Sequence, residues 1–126
     1  MGPSTSEFLL SQDENILAVS LMDADFNIVE AASASSFNER FIVPDKIQRG
    51  TSAWAAIMFG IAELVDDSFG KTRCMTVDHD FAKLMIVQAP SKGFVGLVLT
   101  RSANADYIML KVTSALDVRR GIERYA

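Results

Sequence analysis

The sequence predicts an α/β (α+β) domain, a five-stranded antiparallel sheet in the order 2-1-5-4-3 with helices on both faces. Three observations predict it. Five strand-length apolar segments fall into a group of two and a group of three, separated within each group only by short turns such as Asp23-Ala24-Asp25-Phe26-Asn27. Turns of that length cannot carry a parallel crossover, so the strands within a group pair antiparallel. Segments of helical period precede, separate and follow the two groups. The strands are also graded in polarity: the first and fifth are the most apolar and belong in the centre, and the third is the most polar and belongs at an edge.

Taken along the chain, Ser4-Thr5-Ser6-Glu7 before Phe8-Leu9-Leu10 reads as the capped first turn of a short helix. Asn15 to Met22 is the first strand, and its Ile16-Leu17-Ala18-Val19 run, apolar at every position, calls for cover on both faces. Asp23 to Asn27 is a turn, because Asp and Asn bond their own backbone there. Ile28 to Ala32 returns as the second strand. Ser33 to Val43 has no assignable state, although Phe37, Phe41, Ile42 and Val43 must cover something. Pro44-Asp45 marks a new start, and a helix runs from there to Phe69. Gly50 is expected to interrupt or kink it, with Thr51 or Ser52 recapping, and Gly70 closes it. The three later strands are Lys71 to Asp78, Phe81 to Ala89 and Phe94 to Thr100, joined by turns at His79-Asp80 and Pro90-Ser91-Lys92-Gly93. A final helix starts near Ser102 to Asn104 and carries the stripe Ala105, Ile108, Met109, Val112, Ala115 and Leu116. The stripe dissolves after Asp117. Residues 6–117 are therefore assigned to the domain, 1–5 are given no structural weight, and 118–126 are a charged helix end or tail.

The long central helix is the most informative element. Trp54, Ile57, Met58, Ile61, Leu64 and Val65 project onto one broad apolar arc, enough to cover a sheet. Yet Ala55, Ala56, Phe59, Gly60 and Ala62 lie largely off that arc, and no polar side chain occurs from Ala53 to Ala62. A helix apolar nearly all round buries a second face. Either the Phe37 to Val43 segment folds over it, or a partner helix approaches across the small residues.

Composition narrows the function classes. A chain of 126 residues, 49% hydrophobic and 22% charged, is long enough for one packed core and too apolar for a disordered segment. Its net charge of −4 opposes a nucleic-acid role, which needs a clustered basic face. The single cysteine, Cys74, excludes an internal disulfide and speaks against structural zinc. With no leader pattern, and with Ala53 to Ala62 too short to span a bilayer, a cytoplasmic location without membrane insertion is expected.

No catalytic, cofactor or metal site is expected. His79, the lone histidine, belongs to a hairpin tip, and Cys74 reads as a strand-packing thiol beside Arg73. Asp23 and Asp25 belong to a turn too sparse in oxygens for calcium. Asp66 and Asp67 oppose the dipole at a helix end, which invites compensation by Lys71 or Arg73. Gly93 and Gly96 flank a strand rather than open a helix, so no phosphate loop is present. Arg119, Arg120 and Arg124 read as a solvated end, the methionines as core filler, and Trp54 as a core or interface anchor.

The element order from about Ser6 to Asp117 resembles the roadblock/LC7 domain. The apolar helix ending in Phe69-Gly70 resembles that family's central helix, and Cys74-Met75-Thr76-Val77, Leu84-Met85-Ile86-Val87 and Phe94-Val95-Gly96-Leu97-Val98-Leu99 resemble the meander that follows it. The Ser33 to Val43 segment is longer and more aromatic than a minimal domain of this kind needs, and the charged end after Asp117 departs from the pattern. The resemblance implies a non-enzymatic scaffold or regulatory module that pairs its third strand and central helix with a second copy or another roadblock-type chain, and that serves a small Ras-like GTPase. The expected seam comprises Ala55, Ala56, Phe59, Gly60 and Glu63 on the helix with Lys71, Arg73, Met75 and Val77 at the strand. A small-molecule sensing or regulatory domain, and a longin- or profilin-like trafficking or cytoskeletal module, are the alternative readings.

Overall fold

In the computed structural model, which describes residues 2–40, 44–89 and 93–125, the chain forms nine elements. They are α1 (Thr5–Leu10), β1 (Ile16–Met22), β2 (Ile28–Ser33), α2 (Ser35–Arg40), α3 (Pro44–Phe69), β3 (Cys74–Asp78), β4 (Lys83–Gln88), β5 (Phe94–Leu99) and α4 (Ala105–Tyr125). The five strands make one antiparallel sheet in the order β2-β1-β5-β4-β3, as the polarity gradient predicts. Val19 of the central β1 lies between Ala32 of β2 and Leu97 of β5.

Both faces of this sheet are covered, and strand alternation divides the core between them. Met85 and Val87 of β4, with Val19, Val95 and Leu97, face α4 and α1 through Ile108, Val112, Ala115 and Leu9. Leu84 and Ile86 point the other way, towards α2 and α3. That double cover is why β1, β4 and β5 carry apolar residues at consecutive positions. Phe37, on α2, is wholly buried against Leu17, Ala18 and Val98. The other members of that aromatic segment, Phe41, Ile42 and Val43, lie outside the described residues, as do Pro90, Ser91 and Lys92 of the expected turn.

Local chemistry sets the boundaries. Ser4 caps α1, its hydroxyl oxygen accepting the Glu7 backbone N–H at 3.3 Å. The Asp23 carboxylate accepts the backbone N–H groups of Asp25 (2.9 Å) and Asn27 (3.0 Å), and these bonds, Asn27's foremost, hold its carboxyl below the usual range. The turn sets Phe26 at φ 65°, a conformation costly for a bulky residue. In return the Phe26 ring stacks on Phe94 at 4.4 Å between centroids and meets Phe59 at 6.3 Å, joining turn, sheet and helix. Gly70 ends α3 at φ 87°, with its N–H on the Asp66 carbonyl at 2.7 Å.

Three expectations are corrected. Gly50 does not interrupt α3, which is helical throughout Pro44–Phe69. Thr51 and Ser52 are interior helix residues rather than caps: the Thr51 hydroxyl donates back to the Ile47 carbonyl (2.8 Å), and the Ser52 hydroxyl donates to the Phe26 carbonyl. One glycine costs a helix about 1 kcal/mol, too little to break one held on a sheet. Secondly, β3 begins at Cys74, so Lys71 to Arg73 are connecting residues, while Phe81 and Ala82 belong to the hairpin bend rather than to β4. Thirdly, α4 continues past Asp117 to Tyr125, and Arg119 is no solvated end: its guanidinium donates to the Pro3 carbonyl at 2.6 Å and lies 5.7 Å from the Phe8 ring centre. Lys111 adds a second tie, bonded to Asp13 at 2.9 Å. That ammonium, with the Asn15 N–H, holds the Asp13 carboxyl below its usual range against the opposing effect of burial.

Candidate interface on α3 and β3

The orientation of α3 is set by size rather than by hydrophobicity. Opposite it, β5 carries Gly96, where a Cβ would sit 2.9 Å from the Thr51 side-chain methyl. The helix therefore lies close to the sheet there, and small residues fit beneath it. Thr51 and Ala55 are buried, with Phe59 turned into the aromatic cluster where the helix nears Phe26 and Phe94. The expected sheet-facing arc is thereby corrected. Trp54 and Met58 are half-buried at its border, but Ile57, Ile61, Leu64 and Val65 face outward, and the helix is rotated by about a third of a turn from the expected phase. Leu64 is 83% exposed and Phe69, at the helix end, 85%.

The seam residues expected from sequence are dispersed by this rotation. Ala55 (0% exposed) and Phe59 (8%) lie under the helix, covered by the chain's own sheet. Ala56, Gly60 and Glu63 are exposed, and they border a shallow cleft with Phe26, Phe94 and Thr72 on the flank facing the β1–β2 turn. Lys71 and Arg73 are exposed just before β3. Met75 and Val77 are half-buried on the α3 side of β3, paired across to Ile86 and Leu84.

The outward row that the sequence arc had turned inward is the stronger candidate. Ile57, Ile61, Leu64 and Val65 keep helical spacing and continue the ridge that begins at Trp54. Trp54 shares a cavity wall with Val77 and packs on the same cluster as Met75, so this side of α3 adjoins the β3 edge. Strand β3 has β4 as its neighbour on one side and an open edge on the other. An apolar helix face beside unpaired backbone N–H and C=O groups offers a partner both hydrophobic area and strand pairing. The available signal in the sequence was the absence of polar residues all round the helix; which half faced outward depended on Gly96, a residue far along the chain.

The chemistry-bearing residues lie apart. Cys74 is half-buried on β3; burial pushes its thiol up, the Thr76 hydroxyl opposes this and Asp106 adds to it. His79 is exposed just beyond the far end of that strand, about 16 Å away along an extended chain. Asp66 is compensated by the Thr72 hydroxyl, which donates to it at 2.7 Å, rather than by Lys71 or Arg73. Lys71 instead reaches the Gln88 amide oxygen at 3.1 Å when that amide is oriented to donate to the Thr72 carbonyl. Among the described residues no three His, Cys, Asp or Glu side chains are grouped to hold a metal, and no helix is long and apolar enough to cross a membrane.

No family model and no curated protein sequence matches this chain. Solved structures do. A roadblock/LC7 domain from Streptomyces avermitilis superposes with a TM-score of 0.71 at 15% identity, covering 95% of each chain. MglB of Myxococcus xanthus gives 0.70 at 12% identity over 97% of this chain and 96% of that one. MglC of Myxococcus xanthus gives 0.61 at 15% identity over 93% and 94%. With the same strand order, the same helical layers and near-complete mutual coverage, the chain has the roadblock/LC7 fold.

Proposed function

We propose that this chain is a non-enzymatic dimeric scaffold or regulatory module, acting in the cytoplasm, that binds or regulates a small Ras-like GTPase. The observation that carries the pairing is the outward apolar row of α3 beside the open β3 edge. Two copies, or this chain and another roadblock-type chain, would join their β3 edges and lay their α3 rows together. The buried surface should reach the standard size of roughly 1,200–2,000 Å². The GTPase reading is supported by the fold it shares with MglB and MglC, one MglB being described as a gliding protein and another as having a tetrameric arrangement. On such a platform the GTPase supplies nucleotide and chemistry, and the module supplies shape that its switch loops meet differently in the two nucleotide states.

Light scattering across a concentration series tests the pairing. Wild type should run as a dimer, and Ile61→Asp, which changes an exposed residue, should give a folded monomer. Titration calorimetry against a genomically adjacent small GTPase, loaded with GTP analogue or GDP, tests the partner. Binding that depends on the nucleotide supports the reading; a monomeric wild type, or no binding in either state, overturns the corresponding half of it.

A further inference from the structure

A cavity of about 430 Å³ opens between the N-terminal half of α3 and the β3–β4 hairpin. Its walls are Ile47, Trp54, Val77, Phe81, Leu84 and Val98, with His79 also lining it. Its size falls in the range of small-molecule sites, and among the described residues its lining has almost nothing polar to offer. The Thr51 hydroxyl at its floor is already committed to the Ile47 carbonyl. Lys83 contributes to the wall, but its ammonium is held by the Ala103 carbonyl at 2.8 Å. Water inside would find few of the two to four polar partners that make a buried water favourable. A charged ligand would lose its hydration against a wall with no committed counter-charge.

From this lining we infer that the cavity binds a compact, uncharged apolar molecule, an acyl or aromatic body with at most one neutral polar end, which His79 can meet. Trp54 and Phe81 supply the aromatic walls. Phe81 is three-quarters exposed, a large apolar side chain kept in solvent at the hairpin bend, and an apolar ligand would cover it. The inference does not rest on the pairing reading, although Trp54 and Val77 also stand beside the proposed pairing surface.

The chain's single tryptophan, Trp54, reports directly on occupancy. The probes are 1-octanol and 1-decanol, each set against the carboxylate of equal length. The alcohols should shift Trp54 emission to the blue, saturably, and bind at least ten-fold more tightly than the carboxylates. Phe81→Ala, a change at an exposed position, should weaken alcohol binding several-fold, and Ala82→Leu, which narrows the cavity, should weaken it further. The monomeric Ile61→Asp variant should bind as wild type does, so a failure of dimerisation would leave this result standing. No saturable response in the folded wild type would overturn the inference. So would equal binding of alcohol and carboxylate, or binding indifferent to both cavity variants.

Discussion

Replacing Gly96 tests the close approach that orients α3. An alanine methyl at this position would stand 2.9 Å from the Thr51 Cγ2 and 3.3 Å from the Met22 Cε. Met22 ends in a flexible thioether and can yield. Thr51 cannot do so easily, because its hydroxyl is bonded to the Ile47 carbonyl, which fixes its rotamer in the helix. Overpacking of this kind costs about 1–3 kcal/mol, set against a gain of roughly 0.5–1 kcal/mol for removing a glycine from a strand interior. Gly96→Ala should therefore lose about 1–2 kcal/mol in urea unfolding, a drop of several degrees in Tm. Thr51→Ser deletes the offending methyl while keeping the hydroxyl, and alone should cost about 1 kcal/mol for the lost contact. In the double variant the new methyl occupies the space that the old one left, so its stability should return close to wild type. The measurement is the coupling energy of this cycle, expected to exceed about 1 kcal/mol. A Gly96→Ala protein as stable as wild type, or additive losses in the double variant, would refute the account of why α3 sits where it does.

Phe26→Ala should cost about 2–3 kcal/mol, less than a fully buried ring would, since it removes the half-buried ring that joins the turn to Phe59 and Phe94 and leaves the positive φ as it is; chemical denaturation measures it. The Asp13–Lys111 bond predicts a defined pH window. The depressed Asp13 pKa contributes stability above the ordinary carboxyl value of about 3.9, lost as pH falls below it, and the raised Lys111 pKa contributes below about 10.4, lost as pH rises further. Comparing wild type with Asp13→Asn, the urea midpoints should differ by a constant amount from pH 6 to 8 and converge towards pH 2. Cys74 should react with a thiol reagent more slowly in the native protein than in urea, because burial raises its pKa and limits access, and equal rates would contradict that placement. Finally, His79→Ala and Cys74→Ser should leave partner binding nearly unchanged, as calorimetry would show.

How much of this was legible in the sequence follows from where each feature's cause lies. The strand order could be read because its cause is local: β1 and β5 are apolar at consecutive positions, and β3 carries Thr76 and Asp78. Gly70 as the end of α3, and Ser4 as the cap of α1, were equally local. The phase of α3 was not, because both of its halves are apolar and the decision fell to Gly96 in a strand far along the chain. The same distance explains Arg119, whose helix is continued by contacts with Pro3 and Phe8 at the other terminus. The short α2 escaped because Ser35 and Ser36 give no helical period, and it is the burial of Phe37 that pins it. As a result, two of the seam residues expected from the sequence, Ala55 and Phe59, lie against the chain's own sheet rather than on the outer face of α3.

The sheet has a second open edge, at β2, and the difference between the two decides whether association stops. A β3 edge joined to another β3 edge consumes both, and the assembly is finite. A β3 edge joined to a β2 edge leaves one of each free, and repetition of that contact grows a fibre. Two features of β2 oppose the second outcome. Glu30 places a carboxylate within the strand, and an irregularity in its register with β1 between Leu21 and Met22 bends the pairing locally. The central residues of β3, Met75, Thr76 and Val77, bear no charge at all. The chain thus carries one permissive edge and one guarded edge. That asymmetry makes substitutions at Glu30, far from the candidate interface, the ones expected to turn a discrete complex into an insoluble polymer.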